Sequence, residues 1–340
     1  MFNLLKGLVK AFGVSGMEGT VASFIENELQ GVVDCIRKDA MGNLIAVQKI
    51  GTASNPQRIL LAAHMDTIGV IATHVDDNGY IRFSNVGGLR PYALVGQTVE
   101  FSSGVRGVIS LEASVTELKD IKLSNLFIDT GLMEKEEIEK KVPIGTCGRF
   151  VFATYQQENT VISGYLDNRT GCAALIQTAK EIAKSKQNGE FMADKEIYYV
   201  FTAQEEVGLR GAGPATYDIN PHLAIAVDVT HAQDVPGSKI SNVKLGAGPV
   251  IPVKDSKCIC HPYIRQRLKD VAIQMEIPYQ ITIEDKGGTD AGTIHTALGG
   301  VVTGCLSIPL RYMHTPTEMC NLRDLDQCVS ILSEFLKIEK

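Results

Sequence analysis

Nothing in this chain of 340 residues approaches the roughly 20 uninterrupted apolar residues that a membrane-spanning helix needs, which excludes a helical membrane protein. The N-terminal MFNLLKGLVKAFGVSG has an apolar run too short and too interrupted for a signal peptide, so the expected compartment is the cytoplasm and no membrane partner is expected. Positive charge is also scarce. Lys and Arg total 33 against 39 Asp and Glu, a net charge of −6, so the basic face that a nucleic-acid backbone requires is not expected. Eight cysteines are few for this length and lack the dense spacing of small disulfide scaffolds; they read as reduced thiols, and Cys258 with Cys260 forms CxC rather than the CxxC of a redox site or zinc knuckle. Asn168-Arg169-Thr170 has the form of a glycosylation sequon, but without a secretory signal it carries no weight. The GxSxG elbow, the HExxH helix and the P-loop are all missing, which removes three common hydrolase designs.

What is present begins with hydrophobic content of 44% in a chain longer than one core usually serves, so two domains are expected. Periodicity predicts a helix over Thr20 to Leu29, a hairpin from Cys35 to Val47 turning at Met41-Gly42-Asn43, and a buried strand at Arg58 to Ala63, RILLAA. After Asp66 the pattern changes to short alternating segments broken by Gly79, Gly87-Gly88, Gly96, Gly104, Gly107 and Gly145. From Thr170 the alternation of helices and strands resumes: a helix to Ser185, strands at Ile197 to Thr202 and Leu223 to Val227, a helix near Tyr263 to Met275, and strands at Tyr279 to Ile283 and near Val301 to Ile308. Asn321 followed by Asp324 resembles a capping box that opens a closing helix at about Leu322. The expected fold is therefore α/β, with a catalytic domain from residues 1–67 and 162–340 around an inserted β-rich domain at 68–161. No internal repeat or low-complexity stretch is present.

Chemistry concentrates where predicted strands end, the place where open α/β sheets bind ligands. RILLAA runs into His64-Met65-Asp66, YYVFTAQ into Glu205-Glu206, and LAIAV into Asp228. His64 and Asp66 are two apart and share a face in extended backbone, so the carboxylate can orient the imidazole. Glu205 and Glu206 are adjacent and would point to opposite faces of a regular strand; both reach one site only if the backbone leaves strand geometry there. Asp167 precedes a predicted helix and could equally be its cap. His314 sits in a loop after the strand containing Leu306 to Pro309.

The segments AAHMDTIG, GYLDNRTG, FTAQEEVGLRGA, AVDVTHA, GGTDAG and YMHTPTE resemble, in order and spacing, the successive motifs of the M42 family of metalloaminopeptidases, the glutamyl and tetrahedral aminopeptidase group that includes endoglucanase-like descriptions. The resemblance spans nearly the whole chain. It implies a zinc-exopeptidase-like mixed sheet flanked by helices, with an inserted PDZ-like dimerisation domain. It implies two divalent ions per subunit, zinc first and cobalt or manganese as alternatives: one bound by His64 and Asp228, the other by Glu206 and His314, with Asp167 bridging. Glu205 falls on the general base, Asp66 on the carboxylate behind His64, and Asp167–Asn168 on a cis peptide. Peptide substrates and a homo-oligomer, up to a dodecamer built from dimers, complete the expectation.

A set of two His and three carboxylates suits Zn²⁺, Co²⁺ or Mn²⁺ in hydrolytic chemistry. Three other readings stay open at this point. A glycosidase could pair Glu205 with a second carboxylate but leaves His64 and His314 unexplained. A metal-dependent deacylase or carboxypeptidase could use a similar ligand set, and an inactive oligomeric homologue could retain the fold alone. Gly287-Gly288-Thr289-Asp290 carries no role legible in sequence.

Overall fold

A computed structural model describes residues 1–238 and 243–339. Its core is an eleven-stranded mixed sheet. The order from one edge is Cys35–Lys38, Leu44–Ile50, Lys195–Thr202, Gln57–His64, Leu223–His231, Val302–Arg311, Glu318–Asn321, Thr160–Ser163 and Tyr155–Gln157, with Val250–Lys254 and Gln280–Ile283 branching from Val302–Arg311. The four strands at its centre, Lys195–Thr202, Gln57–His64, Leu223–His231 and Val302–Arg311, are mutually parallel. Their carboxyl ends therefore open on one side of the molecule.

RILLAA is apolar throughout because both faces of its strand are covered. Ile59, Leu61 and Ala63 pack in the cluster that includes the helices Phe2–Lys10, Gly19–Leu29, Leu166–Asn188 and Leu322–Ile338. Leu60 and Ala62 pack on the opposite side with Ala212, Ala215 and Ile219 of the helix Ala212–Ile219. The N-terminal segment is a structural helix. Leu5, Leu8 and Val9 share one face and are fully buried, at roughly 1.5–3 kcal/mol for each side chain, and the helix packs against Leu166–Asn188.

The closing helix starts as the sequence predicts, at Leu322, with the Asn321 side chain accepting from the Arg323 amide. The capping box does not form. Asp324 instead accepts from the amides of Gly246 and Gly248, tying the helix start to a distant loop.

Six antiparallel strands between Gly69 and Phe150 close into a barrel in the order Gly69–Val75, Ile81–Val86, Leu126–Asp129, Arg106–Leu111, Thr98–Phe101 and Cys147–Phe150. Val70, Phe83, Val99, Phe101, Ile109 and Ile128 fill a hydrophobic cluster of its own. Closure leaves no unpaired strand edge, so short strands rich in glycine turns suffice. The chain leaves the large sheet for this barrel just after Asp66 and returns through the hairpin of Tyr155–Gln157 and Thr160–Ser163. No described helix is long and apolar enough to cross a membrane.

Candidate metal centre and active site

The carboxyl ends of the parallel strands carry the polar residues, and the residues just beyond them converge. His64 is the last residue of its strand and is paired in register with Thr202. The neighbouring strand ends at Thr202, and Gln204 adopts φ +57°. That left-handed residue turns the chain out of strand geometry, which lets Glu205 and Glu206 both reach the cleft. Asp228 lies within the third strand, opposite Ser307. Asp167 has extended rather than helical dihedrals, follows the left-handed Tyr165, and is joined to Asn168 by a cis peptide, as the resemblance implied.

Capping of the helix that follows falls to Asn168, not Asp167. Its Oδ1 accepts from the Gly171 amide at 2.9 Å and its Nδ2 donates to the Val227 carbonyl at 2.9 Å. Gly171 is required by this close approach, since a Cβ there would lie 2.3 Å from the Asn168 oxygen. The Asp167 carboxylate is thereby left free for the cleft.

The five proposed ligands form two donor groups that share Asp167. Nε2 of His64 lies 3.1 Å from Asp167 Oδ1 and 3.6 Å from Asp228 Oδ1. Nε2 of His314 lies 3.3 Å from Asp167 Oδ2 and 3.4 Å from Glu206 Oε2. Within each group, His64 with Asp167 and Asp228, or His314 with Asp167 and Glu206, the donor atoms lie within 4.8 Å of one another. The two oxygens of Asp167 thus face one histidine each. Glu205 Oε2 stands 3.9 Å from His64 Nε2.

These residues fit divalent cations. Imidazole and carboxylate are donors suited to zinc-like ions, and Glu206 Oε1 is buried with no hydrogen-bond partner among the described residues, which a cation would satisfy. Four acidic side chains crowd a buried space, and their proton affinities record the strain. Burial, then the charge of Asp167, holds the Glu206 carboxyl well above its ordinary range; burial does the same for Glu205 and raises Asp228. Burial also acts against ionisation of Asp167, but hydrogen bonds from His314 and His64 outweigh it and hold its carboxyl low.

Asp66 does more than stand behind His64. Nδ1 of His64 is 3.1 Å from the Asp66 backbone carbonyl, which directs Nε2 into the cleft, and 3.6 Å from the carboxylate. The Asp66 carboxylate accepts from the amides of Glu205 and Glu206 at 2.9 and 3.2 Å and from the Ser15 hydroxyl at 2.5 Å.

One buried residue escaped the sequence reading although it closes the quoted YMHTPTE. Glu318 accepts from the Asp167 amide at 3.1 Å and from the His314 amide at 3.0 Å, fixing a residue of each donor group; burial, then Asp167, raises its carboxyl to about 8. Its adjacency to the site is a matter of folding, since Asp167 is 151 residues away. Asp290 of the glycine-rich segment is buried with Oδ2 bonded to the Thr202 hydroxyl at 2.5 Å, and burial raises its carboxyl to about 7.

The cleft is a cavity of about 340 Å³ whose lining includes these ligands and Glu205, together with His231 and Lys257. Two barrel-loop glycines border it: a Cβ on Gly87 would lie 3.3 Å from Glu206, and one on Gly88 would lie 2.8 Å from Nδ1 of His314. A larger cavity of about 780 Å³ lies between the barrel and the N-terminal helices, where Glu18 and Gln204 line it. None of the proposed ligands lines it.

The family model of M42 glutamyl aminopeptidases matches residues 42–331. A protein of Acetivibrio thermocellus described as an aminopeptidase is 45% identical over 98% of both chains. The structure of an aminopeptidase from the archaeon Desulfurococcus kamchatkensis superposes with a TM-score of 0.91 at 33% identity, covering 99% of this chain and 94% of that one. The Pyrococcus horikoshii TET1 peptidase, which can assemble into a tetrahedron or a large octahedral shell, gives a TM-score of 0.87 at 31% identity over 99% of both chains. With its parallel strand ends, its two histidine and carboxylate groups and these relatives in agreement, the chain belongs to the M42 family of metalloaminopeptidases and is a peptide hydrolase.

Proposed function

We propose that this enzyme removes N-terminal residues from peptides with two divalent ions per subunit, zinc before cobalt or manganese, and with Glu205 as general base. The observation that carries the reading is Asp167, whose two carboxylate oxygens face two separate donor groups. His64 and Asp228 would hold one ion, Glu206 and His314 the other, and Asp167 both. The chemistry such ions supply is Lewis acidity, which polarises a carbonyl and brings the pKa of a water toward neutrality.

The protein's own groups do the rest. Glu205 is desolvated and ringed by Asp228, Asp290 and Glu206, so its carboxylate has raised proton affinity. Such a group is suited to accept a proton from the attacking water and to pass it to the leaving amine. Asp66 holds Glu205 in reach by its backbone amide, and Glu318 holds Asp167 and His314 by theirs.

Residues 1–67 and 162–340 form the catalytic domain in this reading, and residues 68–161 the dimerisation domain. Leu118, Met133 and Ile144 are exposed on that insert, apolar surface suited to a second copy. The tetrahedron and octahedral shell of the Pyrococcus horikoshii TET1 peptidase are precedents for a closed homo-oligomer, and a dodecamer built from dimers is the assembly proposed for this chain. The cytoplasm is the proposed compartment, where all eight cysteines remain free thiols.

Elemental analysis beside a panel of aminoacyl-p-nitroanilides tests the proposal on wild type, chelator-treated protein and Glu205→Gln. We expect about two ions per chain in wild type and turnover that disappears on chelation. Glu205→Gln should keep its metal and lose at least about 100-fold in kcat. Metal bound elsewhere, or cleavage confined to acylated or glycosidic substrates, overturns the assignment.

A further inference from the structure

Three successive backbone amides, those of Gln204, Glu205 and Glu206, end on buried carboxylates. Asp66 takes the second and third. The first goes to Glu18, whose Oε1 accepts from Gln204 N at 3.2 Å and from Gly16 N at 2.7 Å. Glu18 is only 7% exposed and lies 186 residues from Gln204 in sequence. It immediately precedes the helix Gly19–Leu29, yet its side chain makes no capping bond to that helix. A largely buried carboxylate at the wall of the larger cavity that makes no bond to the nearest helical amides needs another reason for its position.

The amide it holds belongs to the residue on which the site's geometry turns. Gln204 has φ +57°, a conformation that a residue with a side chain adopts rarely and keeps only where its surroundings impose it. That conformation delivers two adjacent glutamates to one cleft. Without an acceptor for the Gln204 amide, the turn can relax toward strand geometry, and Glu205 would swing with it. A buried cation lies within electrostatic reach of both carboxylates: the guanidinium of Arg169 is wholly buried and has no hydrogen-bond partner among the described residues, and the charges of Asp66 and Glu18 favour its protonated form against the cost of burial.

We propose that Glu18 is a positioning residue for catalysis, holding the Gln204 turn so that the Glu205 carboxylate points at the reacting centre. The inference rests on the reading of Glu205 as general base. Glu18 lies outside the lining of the cleft and its carboxylate bonds to the backbone amides of Gly16 and Gln204 rather than to a ligand side chain, so its loss should act on turnover while leaving substrate and metal binding in place.

The test compares wild type, Glu18→Ala, Glu18→Gln, Glu18→Asp and Glu205→Gln by metal content and by kcat and KM on the aminoacyl-p-nitroanilide that wild type cleaves best. Glu18→Ala should lower kcat by roughly 10- to 100-fold, the scale expected of a catalytic group displaced by about an ångström, with KM within about threefold and metal content unchanged. Glu18→Gln keeps an oxygen for the Gln204 amide and should recover most of the turnover. Glu18→Asp draws the carboxylate back by one methylene and should fall below Glu18→Gln. Should Glu18→Ala fail to fold, the order of the last two decides, and an aspartate variant as active as the glutamine variant overturns the proposal. Unchanged kcat in Glu18→Ala overturns it too, as does a loss shared equally by kcat, KM and metal content. Full activity in Glu205→Gln removes the base assignment itself, a separate failure visible without any Glu18 variant.

Discussion

Glu318 and Asn168 determine where the cleft side chains point, and neither would bind a metal. Each works through backbone amides or carbonyls supplied by other parts of the fold. Glu318→Ala should leave the strands intact but release the amides of Asp167 and His314. We expect metal affinity to fall about 10- to 100-fold, the usual effect of removing a residue that orients metal ligands, measured by competition against a chromophoric chelator. Affinity equal to wild type would mean that the ligands hold their positions without it. His64, Glu205, Glu206 and Asp228 stand out in the sequence because metal-capable residues at strand ends are conspicuous, whereas Asp167, before a helix, and His314, in a loop, are singled out only by the resemblance to the M42 motifs. Glu318, Glu18 and the double duty of Asp66 do not stand out, because a carboxylate that accepts from distant backbone amides leaves no local pattern.

Elements were legible where burial imposes a period. RILLAA could be read as a two-faced buried strand, and the long helix after Asp167 and the closing helix were both expected. Phe2–Lys10 reads in sequence only as an apolar run too short for a signal peptide, although Leu5, Leu8 and Val9 have the spacing of one helix face. The capping box at Asn321 was half right: the cap forms, while Asp324 is drawn away by the amides of Gly246 and Gly248. A short polar motif cannot show which of two available donors lies nearer once the chain has folded. Asn321→Ala should therefore cost about 1 kcal/mol of stability, read as a lower urea midpoint at unchanged slope, with kcat unaffected. A loss several times larger would show that Asn321 supports more than this helix end.

At the scale of the whole molecule, one buried cation joins the sheet to the end of the described chain. Lys195 opens its strand and donates from Nζ to the carbonyls of Leu336 and Glu339. Burial lowers its pKa from 10.5 to about 8, with Glu339 opposing the shift. Between about pH 8 and 10.5 the unfolded chain therefore holds a proton that the folded form has released, so this residue's contribution to stability rises with pH across that window. Lys195→Met should lack the rise. The gap between wild-type and variant urea midpoints is expected to change in favour of wild type from pH 8 to pH 10; a constant gap would place the folded pKa near its unperturbed value.

The barrel's contact with the cleft has a consequence for what the sequence can tolerate. Glycines such as Gly107 and Gly148 answer to the barrel's own packing, since an added methyl would strike Asp129 or Val99. Gly87 and Gly88 answer to something else: one added methyl there would press on Glu206 or on the ring of His314. Two positions of the insert are thus held by the chemistry of its neighbour, and an inventory of side chains would miss them because the residues that matter there have none.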